Sequence, residues 1–153
     1  MLSRLQDYFS THLAPGVDPD PEHGINLAAA ALLIEVARAD VAVDEAEARC
    51  IEDLLVATLG LGRDEVGDLV ELARAEIDEG ASLHQFTHLI NQHYDIAAKR
   101  RFMEQLWRVA WSDGRLHHYE EHLLRRLAEL LHLRHHEFMK AKHAVIEDDR
   151  SGA

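Results

Sequence analysis

The sequence predicts an all-α fold: a compact single-domain helical bundle of about eight helices, built from two pseudosymmetric helical-hairpin halves. Three observations predict it. Apolar residues recur at helical spacing along the chain, with no sustained period-two alternation and almost no β-branched clusters. The few Pro and Gly residues supply natural stops, at Pro15-Gly16, Gly60 and Gly80. Finally, one stretch occurs twice, as Ala37-Arg38-Ala39-Asp40-Val41-Ala42-Val43-Asp44-Glu45-Ala46-Glu47 and as Ala110-Trp111-Ser112-Asp113-Gly114-Arg115-Leu116-His117-His118-Tyr119-Glu120. The offset is constant, since 113 − 40 and 120 − 47 both give 73. The register extends outward, matching Val36 with Val109, Ile51 with Leu124 and Leu54 with Leu127.

The elements follow in order. Leu2 to Leu13 forms a short first helix, stopped by Pro15-Gly16, and Asp18-Pro19-Asp20-Pro21 makes a rigid polar linker. An Ala-rich helix from about Ile25 to Ala39 is apolar on so many sides that it belongs at the centre. The next runs from Asp44 to about Leu59, with Ile51, Leu54, Leu55 and Thr58 on one face and Gly60 as its stop. Asp64 to Glu79 gives another. Ser82-Leu83-His84-Gln85 has capping-box form and opens a helix through about His93. Asp95 caps a run to Ser112 in which Phe102, Met103, Leu106, Trp107 and Ala110 share a face. The last two helices run from about His117 to Leu131 and from about His135 to Glu147.

Length and composition exclude several classes. At 153 residues and 47% hydrophobic, the chain can bury one real core and reads as globular. Its single Cys, Cys50, forms no internal disulfide and offers no zinc-finger spacing; lying beside the Ile51 and Leu54 stripe, it is expected to be buried. The N-terminus carries no signal-type apolar core, and the run from Ile25 to Val36 is broken by Asn26 and Glu35. The expectation is a soluble cytoplasmic protein with no direct membrane insertion. A formal charge of −12 opposes phosphate backbones, so nucleic acid is not an expected partner. Arg100-Arg101 and Arg125-Arg126 read as solvated faces. Twelve His residues mean that mild acidification shrinks the net charge steeply.

Each copy of the repeated stretch sits at the bend of a helical hairpin. Asp44 and Glu47 have the Asp-x-x-Glu form of an N-terminal cap, whose oxygens accept from otherwise unpaired amides. The second copy has His117 in the place of Asp44 and Glu120 in the place of Glu47. Asp40 and Asp113 are different, because a carboxylate at the carboxyl end of a helix meets the negative end of the macrodipole. Two readings stay open. Either each Asp bends back onto the amides of the following helix, or the two hairpins gather Asp40, Asp44, Glu47, Asp113, His117 and Glu120 around a divalent metal. Oxygen donors suit Ca²⁺, Mg²⁺ or Mn²⁺, and His117 would bias the site toward Zn²⁺. Elsewhere, the i, i+4 pairs His84/His88 and His118/His122 read as surface histidines at the edge of a core face, and Trp107 and Trp111 read as packing residues.

At these residues the chain resembles the TerB-like tellurite-resistance family. The likeness lies in Asp113-Gly114-Arg115-Leu116 followed by Glu120 and in the looser Asp40 to Glu47 copy. It extends to Leu83-His84-Gln85-Phe86-Thr87-His88-Leu89-Ile90-Asn91 and its lead into Leu106-Trp107-Arg108-Val109-Ala110. It covers about residues 25 to 146. The resemblance implies an all-helical domain of two pseudosymmetric halves, found alone or joined to other modules, as in the amino-terminal part of a membrane-anchored DnaJ-type co-chaperone. It further implies association with tellurite resistance and stress responses, and an acidic pattern, here Asp40, Glu47, Asp113 and Glu120, as candidate metal ligands. The chain departs from the family's Asp-Gly in its first half, where Val41 stands opposite Gly114.

The domain expectation is residues 1–23 as an N-terminal helix and Pro-rich linker, 24–148 as the TerB-like helical domain and 149–153 as a tail. The expected function is a non-catalytic stress-response module that binds protein partners, membrane-associated stress-response components among them, and a divalent metal at its acidic bends. The alternative is a purely structural interaction domain whose acidic residues are helix caps. A third reading, a metal-dependent hydrolase, lacks a Gly-rich phosphate loop, an activated Ser or Cys, and a His-Glu-x-x-His helix.

Overall fold

A computed structural model describes residues 4–39, 44–78, 83–111 and 121–151. Helix α1 (Arg4–Tyr8) continues into a π-helical segment (Phe9–Leu13), followed by α2 (Pro21–Ala39), α3 (Glu45–Leu59), α4 (Arg63–Asp78), α5 (Leu83–His93), α6 (Ile96–Trp111), α7 (Glu121–Leu130) and α8 (His135–Ser151). Among the described residues there are eight helices and no strand, so the all-α reading holds.

The apolar character of α2 is explained by its position. It packs against α3, α4, α5, α6 and the π segment, and Ala28, Ala29, Ala30, Leu32 and Leu33 are all fully buried. A helix with neighbours on this many sides has no solvent face to reserve for polar residues. Its partner at the centre is α6, which buries Phe102, Met103, Leu106 and Trp107. Outside this pair, α4 lies on α2 and α8 lies on α6. Shifted by the repeat offset, the bounds of α2, α3 and α4 nearly coincide with those of α6, α7 and α8.

The N-terminal segment joins the same core. Leu5, Phe9 and Leu13 are buried, each removing apolar surface worth about 1.5–3 kcal/mol. Its last turn widens, with Ala14 N–H donating to the Phe9 carbonyl at 2.8 Å, and the Tyr94 hydroxyl then donates to the Leu13 carbonyl at 3.1 Å. The stretch expected as a rigid linker is largely a cap. Asp20 accepts from the Glu22 amide at 3.1 Å and Pro21 opens α2, a position where its missing N–H costs nothing. Thus α2 starts four residues before Ile25. At the other end, α8 continues past Glu147 to Ser151.

Helix ends follow the sequence signals elsewhere. The Asp95 carboxylate accepts from the Ala98 amide at 2.8 Å, and Gly60 ends α3 in the left-handed region at φ 67°. Helix α7 closes in the same way without glycine: His132 takes φ 59°, and Leu133 N–H donates to the Ala128 carbonyl at 2.9 Å. Its free carbonyls are taken by side chains, Asn91 Nδ2 donating to Leu130 at 2.9 Å and Lys99 Nζ to Leu131 at 3.1 Å. Burial pulls the Lys99 ammonium below the usual lysine range. Between α2 and α6, Gln105 donates to Asn26 and accepts from Arg108 at 3.1 Å, so a polar chain crosses the central contact.

One expectation fails. Cys50 is exposed, not buried. The inward stripe of α3 is Ala48, Ile51, Leu55 and Leu59, and Cys50, one residue before Ile51, is rotated about 100° from Ile51 and further from the stripe's centre.

Candidate functional site

The acidic bend is described in part. Asp44 sits just before α3 with extended backbone, φ −84° and ψ 175°, and its Oδ1 accepts from the Glu47 amide at 2.8 Å while its carbonyl accepts from Ala48 N–H at 2.9 Å. This is the N-terminal cap that the Asp-x-x-Glu spacing announces. Glu47 stands in the first turn of α3 and is half-buried, while Asp44 is exposed. Asp40, Asp113, His117 and Glu120 lie outside the described residues, as does His118. Of the six expected site residues, the structure therefore brings together Asp44 and Glu47, through a backbone amide. Among the described residues no group of three or more His, Cys, Asp or Glu side chains could hold a metal ion.

The structure adds a polar junction that local sequence patterns do not announce. His23, in the first turns of α2, donates from Nδ1 to Asp18 at 2.5 Å and from Nε2 to Glu65 at 2.7 Å. Only a doubly protonated ring donates from both nitrogens. The hydrogen bond to Asp18, aided by the charge of Glu65, holds the imidazole above its ordinary pKa, and the same bond holds Asp18 below the usual carboxylate range. Glu65 also faces Tyr8, whose hydroxyl burial, with help from Asp68 and Glu65, pushes it up to about 12. The junction thus ties the turn before α2 to α4 and α1. Beside it lies a mostly apolar cavity of about 210 Å³, between Leu13, Pro15, Asp18, Ile25, Tyr94 and Ala98. The sequence separation of 42 between His23 and Glu65 is why no spacing rule finds the pair.

A second ionic contact joins the two central helices. Arg101 on α6 makes a two-pronged pair with Glu22 on α2, at 2.9 and 2.6 Å, and a further contact with Glu104 at 2.6 Å. Its side chain is 43% exposed, so the pair orients more than it stabilises.

A group of histidines lies around α5 and α7. His84 and His88 are exposed, as their spacing suggested, and line a shallow hollow of about 430 Å³ with Asn91, Leu130 and His132. Asn91 Oδ1 is buried there and has no hydrogen-bond partner among the described residues. Leu130 also borders a second hollow of about 330 Å³, lined by His122, Arg125, Arg126 and Glu129. Arg125 stacks over Phe138 at 5.6 Å and pairs with Glu121 at 3.0 Å, so it is held in place. Trp107 is buried, as its spacing required, against Phe138 at 5.4 Å between ring centroids.

No helix among the described residues is long and apolar enough to cross a membrane. A search of family models matches residues 26–143 to the family described as tellurite resistance protein TerB. No curated protein and no solved structure gives a significant match.

Proposed function

We propose that this chain, which belongs to the tellurite resistance protein TerB family, is a non-catalytic stress-response module that binds protein partners in the cytoplasm and a divalent metal at its acidic hairpin bends. The matched region runs from within α2 to the middle of α8, so the family's function is expected to reside in this bundle. The observation that carries the metal reading is the recurrence of Asp and Glu at one offset in both bends, with Asp40 and Asp113 following α2 and α6 in the sequence, where a carboxylate expected at a helix's carboxyl end would be opposed by the macrodipole. Bound there, a cation would neutralise that repulsion and tie the hairpins together.

The test is thermal stability followed during titration with Ca²⁺, Mg²⁺, Mn²⁺ and Zn²⁺. A site in the native state stabilises by about 2.7 kcal/mol at a hundredfold excess over Kd, and the gain should vanish in Asp113→Ala. No shift with any of the four ions at saturation would sink the metal reading.

A second reading is favoured by one contact. Asp44 already spends an oxygen on the Glu47 amide, which is what a purely structural cap does. On that reading the bundle is an interaction domain without metal, and Asp44→Ala lowers stability equally with and without ions.

A further inference from the structure

Charge is distributed unevenly between the two halves. Residues 44–78 carry eleven Asp and Glu against three Arg and no His. Residues 121–151 carry six Lys and Arg, six Asp and Glu and five His. The local pairs do not even this out. Two of the three Arg in the acidic segment are taken by Asp53 and Glu71, while Asp64 and Asp68 on α4 make no ion pair among the described residues. On the opposite side, Arg126 likewise makes none, although Arg125 and Lys142 share Glu121.

These unmatched charges cannot meet within one molecule, because α4 packs against α1, α2 and α3, and α7 against α5, α6 and α8, on different sides of the central pair. Their spacings correspond. Asp64 and Asp68 stand one turn apart on α4, and His122 and Arg126 stand one turn apart on α7, so each row presents its two groups about 6 Å apart. Both rows are exposed. Arg126 lines one of two hollows that meet at Leu130; the titratable and charged groups of the pair are His84, His88 and His132 in the first and His122, Arg125, Arg126 and Glu129 in the second.

We propose that the His- and Arg-lined face of α5 and α7 docks the Asp64–Asp68 row of α4 on a second copy of this chain, giving head-to-tail association. The two surfaces are distinct, so the contact is heterologous and joins copies head to tail into a ring or an open chain. At neutral pH the overall charge of −12 opposes it. Acidification works in its favour, because protonation adds positive charge to histidine, and the docking face holds four histidines while the acidic segment holds none. Salt works against it, since exposed pairs are screened.

The experiment is sedimentation velocity of the full chain at pH 7.5 and 6.0, in low and high salt. Association is expected to tighten at pH 6.0 and to weaken about tenfold or more in roughly 0.5 M salt. Arg126→Glu and Asp64→Lys should each weaken self-association about tenfold, with unchanged circular dichroism. Mixing the two variants should restore association between them, because the reversed charges complement each other; Asp68→Lys serves as the second acidic-row variant. A monomer under all four conditions overturns the proposal. So does self-association that ignores both charge reversals, as isoelectric clumping would. Binding of a poly-glutamate peptide to the Arg126 face without self-association would give that face to a different acidic partner.

Discussion

The α2–α3–α4 half and the α6–α7–α8 half share helix bounds and differ in almost everything at their edges. The first closes its middle helix with Gly60 and the second with His132, both in the left-handed region. The first buries Leu55 where the second has only Ala128, while Leu127 is fully buried and its counterpart Leu54 only partly. The first is acidic and the second basic and histidine-rich. What the two keep in common is the spacing that decides which residues point inward. The neighbours differ as well: α1 packs on α4 of the first half, while α5 touches α2 in the first half and α7 in the second.

The comparison breaks most sharply in the core. Leu127→Ala should cost about 2–5 kcal/mol, the range for a large-to-small change at a fully buried site, and Leu54→Ala at the matched position should cost clearly less. Urea unfolding of both variants measures it; equal losses would mean that Leu54 is as enclosed as Leu127. The two helix stops give effects of opposite sign. Gly60→Ala places a Cβ at φ 67° and should destabilise by about 1–2 kcal/mol, whereas His132→Gly relieves a side chain at φ 59° and should stabilise by up to about 1 kcal/mol. Thermal melts of the two single variants check the signs. Smaller still, Asp44→Ala removes the acceptor for the Glu47 amide and should cost about 1 kcal/mol.

The smallest effect is a pH dependence that sits in the first half. His23 has its pKa raised by Asp18, so its contribution to stability is fully present below about pH 6.5 and is lost as pH rises through the folded-state value. Asp18 has its pKa lowered, so its contribution is present above its ordinary value and disappears as pH falls through the lowered one. The melting temperature of the wild type, compared with His23→Gln from pH 5.5 to 8.5, should therefore show an advantage that shrinks toward the alkaline end. An advantage that grew with pH would contradict the double donation from the ring.

Most of the frame is legible in the amino-acid sequence because helices are written locally. The Asp95 cap, the Gly60 stop and the all-round apolarity of α2 each depend on residues a few positions apart, and each stands where the spacing puts it. The failures are of two kinds. Some turn on angle: Cys50 borders the α3 stripe in sequence yet lies more than a quarter of a turn from its nearest edge in space. Others turn on distance along the chain, as with His23 and Glu65, or with Asn91 and Lys99 reaching the carbonyls at the end of α7. The left-handed His132 belongs to a third kind, since histidine carries little of glycine's signal for that region. Of the candidate metal residues, spacing identified the Asp44 cap correctly; the carboxylates on which the metal reading depends, Asp40 and Asp113, lie outside the described residues.

The two tryptophans of α6 give this bundle a built-in optical ruler. Trp107 is wholly enclosed, its indole N–H has no acceptor among the described residues, Phe138 lies against it and the Lys142 ammonium sits 5.5 Å from its ring centre. Its emission belongs at short wavelength and reports on the core. Trp111, one turn further on, is half-buried at the end of α6, two residues before Asp113 in the chain. In Trp107→Phe the remaining fluorescence comes from Trp111 alone, so events at the second bend become visible separately from unfolding of the bundle.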